Sequence, residues 1–433
     1  MPPQQAGDVE PRAPRGTVDR ALLTACGAAY AWLYGWRILR WVARGWGDQI
    51  VYLRAGDAIL HGVSPYSEAT WNYPPIVGYL FAPLAALPYV TAAWLWLAVQ
   101  HVCLLAAAVW TWRAMRSQRG ATWAVALTWT AAGAIEPQLR EGQINVVLLV
   151  LLCFVMWPPA RREGVAAAAL GAAAAIKIWP GLLWAGDFML RRWRRLALGL
   201  AWCGVLVALP LALMALSTEG PLRPQKTAWL GTPAFLDFSL PAVVLRLRDP
   251  IVPGAELLPT MWVNGNQIDK LQLSPADERA AAVTAIAVLA VGLGLLYLRL
   301  RRIPREDAPA LSAPVAAALI ALALLAAPIS WPHHQVVQLP GTAALAIELL
   351  RRRSHGLLAL LAVAFLVPQW TYTVVMGPYL ATYGAQATAP VTAWALTTLP
   401  AAAMAVLFGL HLEALRGRLE TTHVLGRLTA AVP

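Results

Sequence analysis

Long stretches without a charged residue constrain this chain more than anything else. Leu196 to Ser217 and Ala280 to Leu298 contain no Asp, Glu, Lys or Arg, and similar apolar stretches recur along most of the 433 residues. A run of about 20 such residues crosses the hydrocarbon core of a bilayer as a helix. Only a helix or a closed barrel can bury its backbone polar groups there. Hydrophobic residues make up 59% of the chain and charged residues 13%. A soluble domain is about a quarter charged, so both a soluble globule and a disordered chain are excluded. The mean hydropathy of +0.57 agrees. The 21 tryptophans suit membrane interfaces, where one edge of the ring is wet. The sequence therefore predicts an all-α, polytopic integral membrane protein.

Twelve spans are expected, at 20–39, 92–112, 120–135, 143–157, 164–176, 179–190, 195–216, 280–300, 309–327, 333–350, 356–376 and 388–412. The two beside Lys177 are short and would have to be shallow or broken helices inside the bundle. A further apolar piece, 74–88, is bounded by prolines and too short to span, and is expected as an interfacial or re-entrant helix. Residues 1–19 are expected as a cytoplasmic tail with no cleavable signal peptide, and 20–433 as a single transmembrane domain.

Charge sets the orientation. The net charge is +12, from 31 Arg and 3 Lys against 22 acidic residues. Most of the arginines stand in short clusters between apolar runs, such as Arg191 to Arg195, Arg299 to Arg305 and Arg351 to Arg353. That is the pattern of cytoplasmic loops, not of a nucleic-acid surface, and no nucleic-acid partner is expected. With 74–88 outside the span count, the basic loops and the C-terminal tail fall in the cytoplasm. Two long segments, 40–91 and 217–279, then face outward. Arg37, Arg40 and Arg44 are the exception near the outer face, either snorkelling to headgroups or holding an anionic ligand. Cys26, Cys103, Cys153 and Cys203 lie in apolar runs with no CxxC spacing, so neither a disulfide frame nor a zinc site is suggested.

No P-loop, HExxH, DxD or GxSxG motif is present, which disfavours a nucleotide-driven pump or a metalloprotease. Polar residues on the expected outer side carry the chemistry instead. Asp48 ends the first span beside Trp46 and Gly47; it is either a partly desolvated base or the cap of a helix starting at Gln49. Asp57 reads as a surface ion pair or hydrogen bond. His333 and His334, in Ser330-Trp331-Pro332-His333-His334-Gln335, point in different directions on a helix and make a poor bidentate metal site. Either could contact a phosphate, orient a carboxylate or serve the helix start. Lys177, between two short apolar helices, is costly to bury and is a candidate for binding a lipid-linked phosphate or for snorkelling. Gln143 and Asn145, next to Glu136, Arg140 and Glu141, are placed to bond sugar hydroxyls or to cap a helix.

Four tracts carry a resemblance in their order: Asp48-Gln49-Ile50-Val51-Tyr52 with Gly62-Val63-Ser64-Pro65-Tyr66 and Tyr73-Pro74-Pro75; Gly142-Gln143-Ile144-Asn145; Ala175-Ile176-Lys177-Ile178-Trp179-Pro180-Gly181; and Ser330-Trp331-Pro332-His333-His334. Together they resemble the polyprenyl-phosphate-mannose-dependent mannosyltransferases of glycosyltransferase family 87, membrane enzymes of the GT-C class. The best-known members act on phosphatidylinositol mannosides or lipomannan. The resemblance implies a helical GT-C bundle in the plasma membrane whose first outer loop carries a catalytic Asp, matched by Asp48. It implies a polyprenyl-phosphate-sugar donor and a glycolipid or glycan acceptor, with membrane lipids around them. Lys177, Arg44 and Arg140 would serve the donor phosphate, His333 or His334 would match the family's histidine, and Tyr52, Tyr66, Tyr73, Gln143, Asn145 and Trp331 would line the substrates. No cofactor and no metal are implied. Asp237-Phe238-Ser239-Leu240 stands where an Asn-Ser signature is expected, which leaves the acceptor open. A transporter or lipid flippase is the alternative class, and a GT-C enzyme using lipid-phosphate arabinose or glucose is another.

Overall fold

A computed structural model describes residues 15–36, 39, 47–67, 71–159, 162–223, 239–248, 274–301, 303–327, 330–371 and 398–416. Arg37, Arg40, Arg44, Asp237 and Phe238 lie outside the described residues, as does most of 217–279. Among the described residues there are helices, turns and short loops and no strand, apart from one isolated parallel bridge between Val63 and Glu219. In chain order the α-helices are α1 (Arg15–Tyr30), α2 (Gln49–Leu60), α3 (Pro75–Ala85), α4 (Tyr89–Met115), α5 (Ala121–Thr130), α6 (Ile135–Glu141), α7 (Asn145–Met156) and α8 (Glu163–Ile176). They continue as α9 (Leu183–Met189), α10 (Trp193–Ser217), α11 (Leu240–Arg248), α12 (Pro275–Leu300), α13 (Ser312–Ala326), α14 (Leu339–Arg351), α15 (His355–Trp370) and α16 (Thr398–Arg416).

Among the described residues, five helical stretches are long and apolar enough to cross a membrane: α4, α10, α12, Glu306–Ala326 and α16. The chain is thus a multi-pass membrane protein; the twelve expected spans include residues outside the described ones, at 37–38, 372–376 and 388–397. Several of the other expected spans hold shorter helices over their described residues, and in one the reason is tertiary. Expected span 120–135 stops at Thr130 because the end of α15 sits against it. Ala134 N–H donates to Oε1 of Gln369 at 2.8 Å, and Trp370 Nε1 donates to the Ala131 carbonyl at 2.7 Å. A Cβ on Gly133 would lie 2.1 Å from the Gln369 carbonyl oxygen, so no larger residue fits that approach. Side chains from α15 thus take up backbone groups that a continuous helix would satisfy internally.

α3 is 11 residues long, with proline at its start and Pro83 inside. At 1.5 Å per residue that is about half a bilayer core, and it leaves α3 short of spanning, as the sequence suggested. It packs on α2 through small residues. A Cβ on Gly56 would meet Phe81 and Ala82 backbone at 2.8 Å. Close backbone approach through Gly and Ala is the usual contact where lipid removes the hydrophobic drive between helices. Ala-rich α8 packs on α10 the same way: a Cβ on Gly171 would lie 2.6 Å from the Gly199 carbonyl oxygen. α10 and α12 turn most of their length outward, with 11% and 17% of their apolar windows buried, as lipid-facing helices do. The core runs through α4, α7, α8 and α13, where Leu148, Leu149, Leu170, Ala173 and Leu319 are fully buried.

Candidate active site

Three chain breaks bring the polar residues together. At the first, Gly47 adopts φ +100°, and a Cβ there would lie 2.8 Å from the Glu141 Cα. Only glycine fits both requirements, so the backbone before α2 is seated on the end of α6. This places Asp48 at the N-cap of α2, yet its side chain makes no capping bond. The capping alternative is therefore not what the carboxylate does. Its Oδ2 accepts instead from Nε2 of Gln143.

The second break is Gly142, which ends α6 at φ +64° with Gln49 packed against it. Its carbonyl accepts from Trp96 Nε1 at 2.6 Å. Gln143 follows, 2% exposed, and neither it nor Asn145 caps α7. The Oε1 of Gln143 accepts from the Tyr52 hydroxyl at 3.0 Å and from the Tyr73 hydroxyl at 3.3 Å, and the two hydroxyls are 2.9 Å apart.

The third break follows Ile176. The chain leaves α8 with Lys177 extended at φ −145°, ψ 132°, and a single 3-10 turn, Trp179–Leu182 with Pro180 near its start, follows. Its Nζ donates to Asn145 Oδ1 at 2.9 Å and lies 3.2 Å from His334 Nε2. The same ammonium stands over the Tyr73 ring, 5.7 Å from its centroid, which is within cation–π range.

Electrostatics tie the breaks into one site. Removal from water, helped by the charge of Glu141, pushes the Asp48 carboxyl up to about 7 against the opposing pull of Lys177. Burial lowers the Lys177 ammonium to about 8, against the stabilising charge of Asp48. The Tyr52 and Tyr73 hydroxyls are pushed above their ordinary range by burial, so both stay protonated and donate.

The other expected residues are less central. The Arg140 guanidinium is held by carboxylates, Nε at 3.0 Å from Glu141 and Nη1 at 3.5 Å from Glu136. Tyr66 is buried, and its hydroxyl donates to the Tyr73 carbonyl at 3.1 Å, which shapes the loop before α3. Of the two histidines, His334 reaches Lys177, while the buried His333 ring stacks on Trp331 at 6.2 Å. Asp57 forms an exposed pair with His61 at 3.3 Å. Among the described residues, no three His, Cys, Asp or Glu side chains gather as a metal site.

Two buried amides stand behind Lys177 that the sequence reading passed over. Gln138 Nε2 donates to Gln100 Oε1 at 3.2 Å and to the Gln143 carbonyl, while its Oε1 accepts from Asn145 Nδ2 at 3.2 Å. The one sequence signal for them was an uncharged amide within an apolar run, here Gln100 in α4.

Helices of membrane-crossing length and a buried carboxylate coupled to a buried lysine fit the class of membrane enzymes. The chain belongs to Glycosyltransferase family 87, whose family model matches residues 71–328, more than half of it. That range includes Tyr73, Gln143, Asn145 and Lys177; Asp48 and His334 lie outside it. The chain is similar to a polyprenol-phosphate-mannose-dependent alpha-(1-2)-phosphatidylinositol mannoside mannosyltransferase of Mycolicibacterium smegmatis, 28% identical over 379 residues, covering 81% of this chain and 80% of that one. A Mycobacterium tuberculosis protein of the same description is 27% identical over 350 residues, covering 76% and 74%. An M. smegmatis pentamannoside mannosyltransferase is 32% identical over 154 residues, about a third of either chain. The chain is therefore a glycosyltransferase, and the transporter or flippase alternative is set aside.

Proposed function

We propose that this chain transfers mannose from a polyprenyl-phosphate-mannose donor to a hydroxyl of a glycolipid or glycan acceptor, at the outer face of the plasma membrane. The observation that carries the reading is the run of contacts from Asp48 through the Gln143 amide and Tyr73 to the Lys177 ammonium, along which both charges are held out of water. A base near pH 7 suits removal of a proton from an acceptor hydroxyl. A buried ammonium suits the charge left on a departing lipid phosphate.

In the proposed reaction, Asp48 takes the acceptor's proton. The acceptor oxygen attacks the anomeric carbon in line and forms the new glycosidic bond. The bond from that carbon to the phosphate oxygen breaks, its electron pair leaves with polyprenyl phosphate, and the configuration inverts. Lys177 meets the phosphate, with Asn145 and His334 holding the ammonium in place. His333 acts by stacking on Trp331, and the Tyr73 face completes the wall beside Lys177. Arg140, bound by two carboxylates, serves the outer edge. Arg44 remains a candidate second contact to the phosphate.

The relatives' described use of polyprenol-phosphate-mannose supports mannose as the sugar, and their phosphatidylinositol mannoside acceptors support a glycolipid. The test supplies the purified protein in nanodiscs with polyprenyl-phosphate-mannose, -arabinose or -glucose and a membrane glycolipid extract. Mass spectrometry is expected to find a hexose added to a glycolipid with the mannose donor alone. Addition of a pentose, or of glucose in preference to mannose, contradicts the donor assignment.

A further inference from the structure

We propose that Gln143 is a positioning residue for Asp48: its amide fixes which carboxylate oxygen meets the acceptor hydroxyl, and the hydroxyls of Tyr52 and Tyr73 lock that amide in one orientation. The inference rests on the reading of Asp48 as the base.

An amide side chain can be turned over with little change of shape, so its orientation is decided by its partners. An ionised carboxylate only accepts, so Asp48 Oδ2 requires the NH₂ end of Gln143. Protonated tyrosine hydroxyls donate, so Tyr52 at 3.0 Å and Tyr73 at 3.3 Å require the carbonyl end. Both ends agree. Turning the amide over would set its carbonyl against the carboxylate. The surroundings leave no escape: Gln143 is 2% exposed and Tyr52 is fully buried, and the Gln143 backbone carbonyl is itself held by Gln138. With Oδ2 occupied in this way, Oδ1 is the carboxylate oxygen presented to the acceptor. The amide and tyrosines were expected to touch sugar hydroxyls; their bonding capacity is instead turned towards Asp48.

Each hydroxyl has a single proton, and Tyr52 also stands as donor to Tyr73 at 2.9 Å, so Tyr52 serves the amide either directly or through Tyr73, and the lock is redundant. Either tyrosine alone keeps the amide oriented, and losing both frees it. The Tyr73 ring also stands beneath Lys177, so the lock touches the side of the site proposed for the phosphate.

The test compares Gln143→Leu, Tyr52→Phe, Tyr73→Phe and the double Phe variant in full-length protein. Two readouts are taken: kcat against KM, and the infrared carbonyl band of protonated Asp48 across pH, identified by its loss in Asp48→Asn. The groups facing Asp48 are Glu141 from α6, Lys177 from the end of α8, Tyr73 before α3 and Tyr52 on its own helix, with Arg140 and His334 behind them. All remain in Gln143→Leu, so a shift there reports the amide. A hydrogen bond to the ionised form favours ionisation, and its loss must move the protonation midpoint upward.

For Gln143→Leu, kcat is expected to fall about 10- to 100-fold, with donor KM changed by less than about twofold. Each single Phe variant is expected to lose less than about threefold and the double to approach Gln143→Leu, a non-additivity that marks the shared lock. Should Gln143→Leu fail to fold, the double Phe variant carries the same readouts. An unmoved midpoint, or a raised KM with unchanged kcat, overturns the proposal and returns Gln143 to substrate contact. A shifted midpoint in a protein that transfers no sugar supports the positioning and contradicts the transferase reading of the site.

Discussion

Tyr73 touches both halves of the site at once: its ring lies 5.7 Å from the Lys177 ammonium, and its hydroxyl is 3.3 Å from the Gln143 amide that holds Asp48. The proposed base and the proposed phosphate seat are therefore not independent, and variants of one should be read in the other.

The pH profile follows from two shifted groups. Asp48, raised to about 7, works as a base only when ionised, so rate rises as pH climbs through that value. Lys177, lowered to about 8, meets an anion only when protonated, so rate falls as pH climbs past it. A bell of kcat/KM with its maximum between these values is expected. Because the groups interact, the two limbs belong to the pair. In Lys177→Gln the basic limb should vanish and the acid limb move up, since a stabilising positive charge has left Asp48. A pH–rate series on both proteins checks this, and a flat profile from pH 6 to 9 would contradict it.

Lys177→Ala is expected to raise the donor KM by about 10- to 100-fold, the scale of a hydrogen bond to a charged group. Lys177→Arg should restore little. The ammonium fits between Asn145 at 2.9 Å and His334 at 3.2 Å, and a planar guanidinium does not fill that space. Titration of donor at saturating acceptor measures it.

Gly47→Ala tests the seating of the backbone before α2 on the end of α6. The new Cβ must coexist with the Glu141 backbone at 2.8 Å and with φ +100°. Overpacking costs about 1–3 kcal/mol, and the strain falls on the residue next to Asp48. Lower thermal stability together with lost transfer is expected. Full activity would show that this backbone tolerates displacement.

A control lies away from the site. Asp187 and Arg195 pair at 3.1 Å, with side chains 5% and 4% exposed. Breaking a buried pair leaves an uncompensated charge and costs about 3–5 kcal/mol. Asp187→Ala should melt markedly earlier in detergent while the surviving folded fraction keeps its kcat. The double Asp187→Leu, Arg195→Met should recover much of the loss.

Charge was legible in the sequence, and uncharged contacts were not. Lys177 stood out because a lysine between two short apolar helices needs a reason. Asp48 stood out as a carboxylate ending an apolar run. The roles of Gln100, Gln138 and Gln143 depend on which side chains meet across α4, α6 and α7, and amides leave no charge pattern to show it. Arg140 looked available for a phosphate because its neutralisation by Glu136 and Glu141 depends on the turn of α6. The end of α5 was hidden for the same reason: Gly133 looks like any small residue in an apolar stretch until Gln369 is set against it.

The most direct measurement is single-turnover transfer from polyprenyl-phosphate-mannose by wild type and Asp48→Asn, with donor binding measured on both. Asn keeps the size of the side chain and removes its basicity. Transfer should slow by about 10²- to 10⁴-fold with donor affinity retained. Transfer at the wild-type rate in a folded Asp48→Asn protein would contradict Asp48 as the base.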